Sequence, residues 1–107
     1  MDKVLIRHLD ISNNPQLTRR FYDELSLILA EPGNLLERVE LEGNNIGDRQ
    51  LHELVTAMTA AKQIVYLNVS KNKISDAGAR DLAMLIQECP KLRLLFAHYN
   101  RMLGFGG

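Results

Sequence analysis

The sequence predicts an α/β solenoid of about three and a half strand–helix units, with a parallel sheet on its concave face and helices behind it. Three observations carry that prediction. A spelling of the form L-x-x-L-x-L-x-x-N-x-I occurs at Leu36, Val39, Leu41, Asn44 and Ile46, at Ile64, Leu67, Val69, Asn72 and Ile74, and at Leu92, Leu95, Ala97, Asn100 and Met102. The asparagines of these copies stand 28 residues apart, and a looser copy (Ile6, Leu9, Ile11, Asn14) precedes them by 30, with one inserted residue before Leu17. Between copies lie helix-periodic stretches whose apolar positions keep the same offsets from Ile46 and from Ile74.

Taken in order, the first strand runs from Leu5 to Ser12 and is broken at Asn13-Asn14-Pro15-Gln16, because proline cannot donate to a ladder. Thr18 is placed to cap a helix carrying Leu17, Tyr22, Leu25 and Leu29. Glu31-Pro32-Gly33-Asn34 ends it, glycine accepting the left-handed geometry and proline barring continuation. The second strand spans Arg38 to Glu42 and turns at Gly43-Asn44-Asn45. The helix after it starts near Asp48 and stripes Leu51, Leu54, Val55 and Met58 on one face. The third strand, Tyr66 to Ser70, leads through Asp76 to a helix with Ala79, Leu82, Ala83 and Ile86 at the corresponding offsets. Small residues (Ala61, Cys89) follow both stripes. Leu92 to His98 opens a fourth unit that Asn100 to Gly104 does not continue into a helix. The units therefore span about residues 4–34, 35–62, 63–90 and 91–103 of a single domain, with 104–107 expected to be a flexible tail.

No unit of this size buries its own apolar face, so the units must stack. In the third strand Leu67 and Val69 point inward while Tyr66, Asn68 and Ser70 point outward. Asn14, Asn44, Asn72 and Asn100 sit where the chain leaves each strand. There a carboxamide can satisfy buried backbone groups that would otherwise cost about 1–3 kcal/mol each, so these four are expected to form a structural ladder.

On these residues the sequence resembles leucine-rich repeats. Its unit of 28 residues with a full helix, and the segments N-N-I-G-D and N-K-I-S-D-A-G-A, are similar to the ribonuclease-inhibitor-like class. The resemblance covers about residues 4 to 102 and implies a leucine-rich repeat solenoid, but the class recognises many unrelated proteins. The shorter stretch Leu85-Ile86-Gln87-Glu88-Cys89-Pro90-Lys91-Leu92, followed by Phe96 and His98, resembles the last repeat of tropomodulin-like actin-capping proteins and implies a cytoskeletal partner.

Composition narrows the function classes. Of 107 residues, 46% are apolar and 24% charged, and thirteen basic residues balance thirteen acidic ones, so net charge does not point to nucleic acid or an anionic membrane. The sequence lacks a run long enough to span a membrane and its start lacks a signal-peptide core. A single cysteine, Cys89, excludes an internal disulfide framework and fits a reducing, cytoplasmic setting.

The outward strand residues predict three columns on the concave face: His8, Arg38, Tyr66 and Leu94; Asp10, Glu40, Asn68 and Phe96; Ser12, Glu42, Ser70 and His98. Acidic groups gather at one end, aromatic and apolar ones at the other, as in protein interfaces with apolar anchors. The expected partner-binding residues are Arg38, Glu40, Glu42, Tyr66, Asn68, Leu94, Phe96 and His98, with Tyr66 and Phe96 as anchors. A competing expectation is that Met102, Leu103 and Phe105 fold over the last strand as a cap and cover Leu94 and Phe96. The N-terminal end has no polar-backed helix before Val4, which leaves three alternatives: a partner chain, a homo-oligomer through that end, or a longer parent scaffold.

Catalysis finds little support. Ser70, His98 and Glu42 share a column, but serine stands between the other two, whereas a triad needs histidine in the middle. His8 and His98 are three strand spacings apart, roughly 14 Å, too far to share a metal. His52-Glu53 lacks the second histidine of H-E-x-x-H, Cys89 reads as a packed thiol, and a phosphate-cradling glycine motif is missing. Arg19-Arg20 with Lys3 and Arg7 reads as solvated surface, and Gly106-Gly107 as a terminus on a fold unlike ubiquitin-type modifiers. The sequence thus predicts a protein-binding module without enzymatic activity, metal or cofactor. A structural scaffold segment or an actin-associated module are its alternatives.

Overall fold

The computed structural model describes residues 6–101. Strands and helices alternate as β1 (His8–Asp10), α1 (Arg19–Ala30), β2 (Arg38–Glu40), α2 (Asp48–Ala61), β3 (Tyr66–Asn68), α3 (Asp76–Glu88) and β4 (Leu94–Phe96). The four strands form one sheet in sequence order, and every neighbouring pair is parallel. Parallel neighbours need a crossover, and each helix supplies one. α1 packs on α2 and α2 on α3, so the molecule is a row of strand–helix repeats with the sheet on one side and the helices on the other. Leu5, the residues Met102, Leu103 and Phe105 expected to form a cap, and the expected tail 104–107 lie outside the described residues.

The core follows the repeat spelling. Leu36, Val39, Leu41 and Ile46 of one unit, and Ile64, Leu67, Val69 and Ile74 of the next, are all buried, backed by Leu51, Leu54, Val55 and Met58. The turns are held by asparagine. The Asn72 carboxamide donates to the carbonyls of Leu41, Val69 and Ser70 and accepts from the N–H groups of Asn44 and Ile46. One rung on, Asn100 donates to Val69, Ala97 and His98 and accepts from Ile74 N–H. One rung back, Asn44 donates to Ile11 O and accepts from Asn14 N–H. Asn14 donates to the carbonyls of Ile11 and Ser12.

Helix starts differ from unit to unit. Thr18 caps α1, its hydroxyl accepting from Phe21 N–H. The head of α3 is capped from the neighbouring helix instead. Asp48 Oδ1 accepts from Ser75 N–H (2.8 Å) and Gly78 N–H (3.0 Å), and its Oδ2 from the Ser75 hydroxyl. Gly78 makes this approach feasible, since a Cβ there would stand 2.5 Å from Asp48 Oδ1 and 2.4 Å from Ile74 Cγ2. A glycine inside a helix costs roughly 1 kcal/mol relative to alanine, and here the close inter-repeat contact offsets it. Burial opposes ionisation of Asp48, but the hydrogen bonds from Ser75 and Gly78 outweigh it and hold the carboxyl below the usual aspartate range.

Three expectations are corrected. Gly33 does not supply the left-handed end of α1. The C-cap is Glu31, in extended geometry, as a residue before proline prefers. The end is instead tied by the buried Asn34, which donates to Leu29 O and Glu31 O and accepts from Leu36 N–H. On α3 the stripe is incomplete, because Ile86 is 57% exposed and Ala83 is exposed as well, while Leu85 is buried. The positions match Met58 and Val55, buried on α2, which lies between α1 and α3, whereas among the described residues α3 has a helix on one side only. Ser70, expected to face outward, is buried.

Candidate functional site

Strand register fixes which side chains meet. His8, Arg38, Tyr66 and Leu94 form one row across the sheet, and Asp10, Glu40, Asn68 and Phe96 the next. Beyond the strands the ladder continues, with Asn13 N–H on Glu42 O, Gly43 N–H on Ser70 O and Lys71 N–H on His98 O. The residues predicted to bind a partner therefore share one face, though they divide into two groups.

The first group is paired within itself. His8 Nε2 lies 2.5 Å from Glu40 Oε2, and Arg38 Nε is 3.5 Å from the same oxygen. Glu42 accepts from Asn68 Nδ2 at 3.2 Å and stands 3.7 Å from Lys71 Nζ. Asp10 Oδ1 accepts from Ser12 N–H at 2.9 Å, and that backbone hydrogen bond holds its carboxyl below the ordinary range.

The second group is aromatic. The Arg38 guanidinium sits 4.1 Å from the centre of the Tyr66 ring, a cation–π contact that joins the two groups. Tyr66 then meets Phe96 at 5.5 Å between ring centres, Phe96 meets His98 at 6.0 Å, and His98 meets Tyr99 at 6.4 Å. Beside this row lies an open cleft of about 350 Å³, to which Glu42, Lys71, Phe96 and Tyr99 contribute walls. Leu94 is half-exposed on the last strand and does not line that cleft.

Two cleft residues, Lys71 and Tyr99, escape the sequence reading. Both lie one residue past the outward-facing columns and have positive φ, 56° each. Reading every second strand position passes over them. Their 28-residue spacing, shared with Gly43, is the signal that could have found them.

The groups considered for chemistry are otherwise engaged. Ser70 Oγ accepts from the backbone N–H of His98 at 3.0 Å, a cross-strand tie to the main chain. Cys89 is buried with its thiol donating to Met58 O, and burial pushes its pKa up. His52 Nδ1 lies 3.1 Å from Asp81 Oδ1 on the helical side. Among the described residues no group of three or more His, Cys, Asp and Glu could hold a metal ion, and no helix is long and apolar enough to cross a membrane.

A second open feature lies at the C-terminal end of the solenoid. There Ala83, Ile86, Leu95 and Ala97 help line an apolar cleft of about 320 Å³. Among the described residues no helix packs over this side of α3.

The architecture is that of a leucine-rich repeat protein, and residues 64–83 match the model of the family described as Leucine Rich repeat. Among solved structures the chain is similar to one titled "Leiomodin-1 Actin-Binding Site 2 (ABS2)", with a TM-score of 0.78 and 18% sequence identity, over 87% of this chain and 53% of that one. The chain thus spans about half the length of that structure. No curated protein matches the sequence.

Proposed function

We propose that this chain is a protein-binding module without chemistry of its own, that it takes its partner on the C-terminal half of the strand face, and that the partner is filamentous actin. The observation that carries the binding reading is the row Tyr66–Phe96–His98–Tyr99. It places several rings side by side next to an open cleft, where they offer area at low entropic cost. The N-terminal charges set orientation, since Glu40 and Arg38 are already oriented by their neighbours. The actin reading is supported by the likeness to an actin-binding structure and by the tropomodulin-like stretch from Leu85 to Leu92.

Co-sedimentation with actin filaments tests both parts. The wild-type chain is expected in the pellet. The double variant Tyr66→Ala/Phe96→Ala is expected to stay in the supernatant while keeping its far-UV circular dichroism. Absence of the wild type from the pellet removes actin, and undiminished pelleting of the folded double variant removes this face.

A further inference from the structure

Of the basic residues in the loops beside the aromatic row, Lys71 is paired with Glu42 at 3.7 Å, whereas Lys73 and Arg101 are not. Lys71 and Tyr99 occupy the same place in successive loops, as do Lys73 and Arg101. Backbone hydrogen bonds from Lys71 N–H to His98 O (2.7 Å), Lys73 N–H to Ile46 O (2.8 Å) and Arg101 N–H to Ile74 O (2.7 Å) stack these loops in register. Lys73 and Arg101 are exposed at the same position of adjoining loops, and neither has an ion pair among the described residues. Two unpaired like charges on adjoining loops favour an anionic partner between them. The same edge in the first two units is neutral, with Asn13, Pro15, Gly43 and Asn45.

Tyr99 adds an independent observation. It takes a left-handed backbone, φ 56°, where the preceding loops have Asn13, Gly43 and Lys71, and its side chain is 80% exposed. A bulky residue at positive φ is strained, and here the strain gains no burial within the chain. Its ring stands next to that of His98, along the cleft that Tyr66 and Phe96 also line.

We infer that the segment this face takes from its protein partner is acidic, with an aromatic side chain entering the cleft beside Phe96 and Tyr99 and the adjoining carboxylates lying on the unpaired Lys73 and Arg101. This rests on the proposed use of the face for protein binding. A nucleic acid suits it less, because Asp10, Glu40 and Glu42 on the same sheet repel a continuous phosphate backbone. A peptide can confine its carboxylates to the basic edge.

The test is independent of actin. The full ¹⁵N-labelled chain is titrated with a short peptide carrying phenylalanine followed by three glutamates, with its glutamine isostere, and with an oligouridylate. The acidic peptide is expected to shift the amides of Lys71, Lys73, Tyr99 and Arg101 saturably and to bind at least tenfold more tightly than the isostere. Raising salt from 50 to 200 mM, or the variant Lys73→Glu/Arg101→Glu, should remove that difference, whereas Arg19→Glu/Arg20→Glu should retain it. Equal binding of the isostere, shifts confined to another surface, or tighter binding of the oligouridylate each overturn the inference. Actin pelleting by a chain that fails this titration leaves the proposed function standing and removes the acidic segment alone.

Discussion

Met58 and Ile86 stand at the same position of successive helices, 28 residues apart, yet Met58 is 2% exposed and Ile86 57%. Val55 and Ala83 repeat the contrast one turn earlier, the first fully buried and the second exposed. Both helices carry the same apolar stripe, so amphipathicity does not distinguish them. The difference lies in what packs next. In a solenoid, burial is a property of the joint between units, and a helix position inherits it only when another unit follows.

The contrast makes its largest prediction in stability. Met58→Ala removes a side chain from a filled joint and should cost about 2–5 kcal/mol, whereas Ile86→Ala at the open end should cost no more than about 0.5 kcal/mol. Urea denaturation of the two variants measures both. A loss at Ile86 approaching that at Met58 would mean that the end is covered in solution, and the contrast between joint and end would collapse.

The same reasoning explains what was legible in the sequence. Strand order, parallel pairing and the buried set around Leu36, Val39, Leu67 and Val69 follow from a repeat that can bury itself in one way. Two of the three columns of the strand face were legible too, because alternation along a strand and a fixed period determine them, whereas Ser70 of the third is buried. Three things were not. The exposure of Ile86 depends on a neighbour outside its own unit. The cap on α3 comes from Asp48, a residue of the preceding helix, which no capping pattern within α3 announces. Lys71 and Tyr99 reach the cleft from left-handed loop positions, where strand alternation no longer describes side-chain direction. Local pattern carried the core, and contacts between units carried the remainder.

The asparagine ladder sharpens the comparison at intermediate size. Asn72 spans two units, satisfying three carbonyls and two N–H groups while almost wholly buried. Asn14, at the first rung, is only half-buried, and its amide serves carbonyls of its own turn. Asn72→Ala should therefore cost about 2–3 kcal/mol, several unmet groups each contributing about 1 kcal/mol or more, with water repairing part of the loss. Asn14→Ala should cost roughly half as much. Chemical denaturation of the pair decides it, and equal losses would mean that the ladder stabilises turns singly instead of joining units.

The smallest effect concerns the cap that crosses the joint. Asp48 gives its carboxylate to the head of α3, and substitution by asparagine keeps one acceptor oxygen but removes the charge that favours a helix N-terminus. Asp48→Asn should cost about 1 kcal/mol at neutral pH. Because the folded carboxyl titrates below its unfolded counterpart, the aspartate's advantage is fully present above the unfolded value of about 3.9. It is lost as pH falls towards the lower folded value, since the unfolded chain then takes up the proton first. The stability gap between wild type and Asp48→Asn should accordingly be constant from pH 7 to about 5 and narrow below pH 4. A gap that persists unchanged at pH 3 would show that the carboxylate's charge contributes nothing across the joint. The cap would then act through its hydrogen bonds alone, beside the β2–β3 pairing, the packing and the asparagine ladder that join the two units.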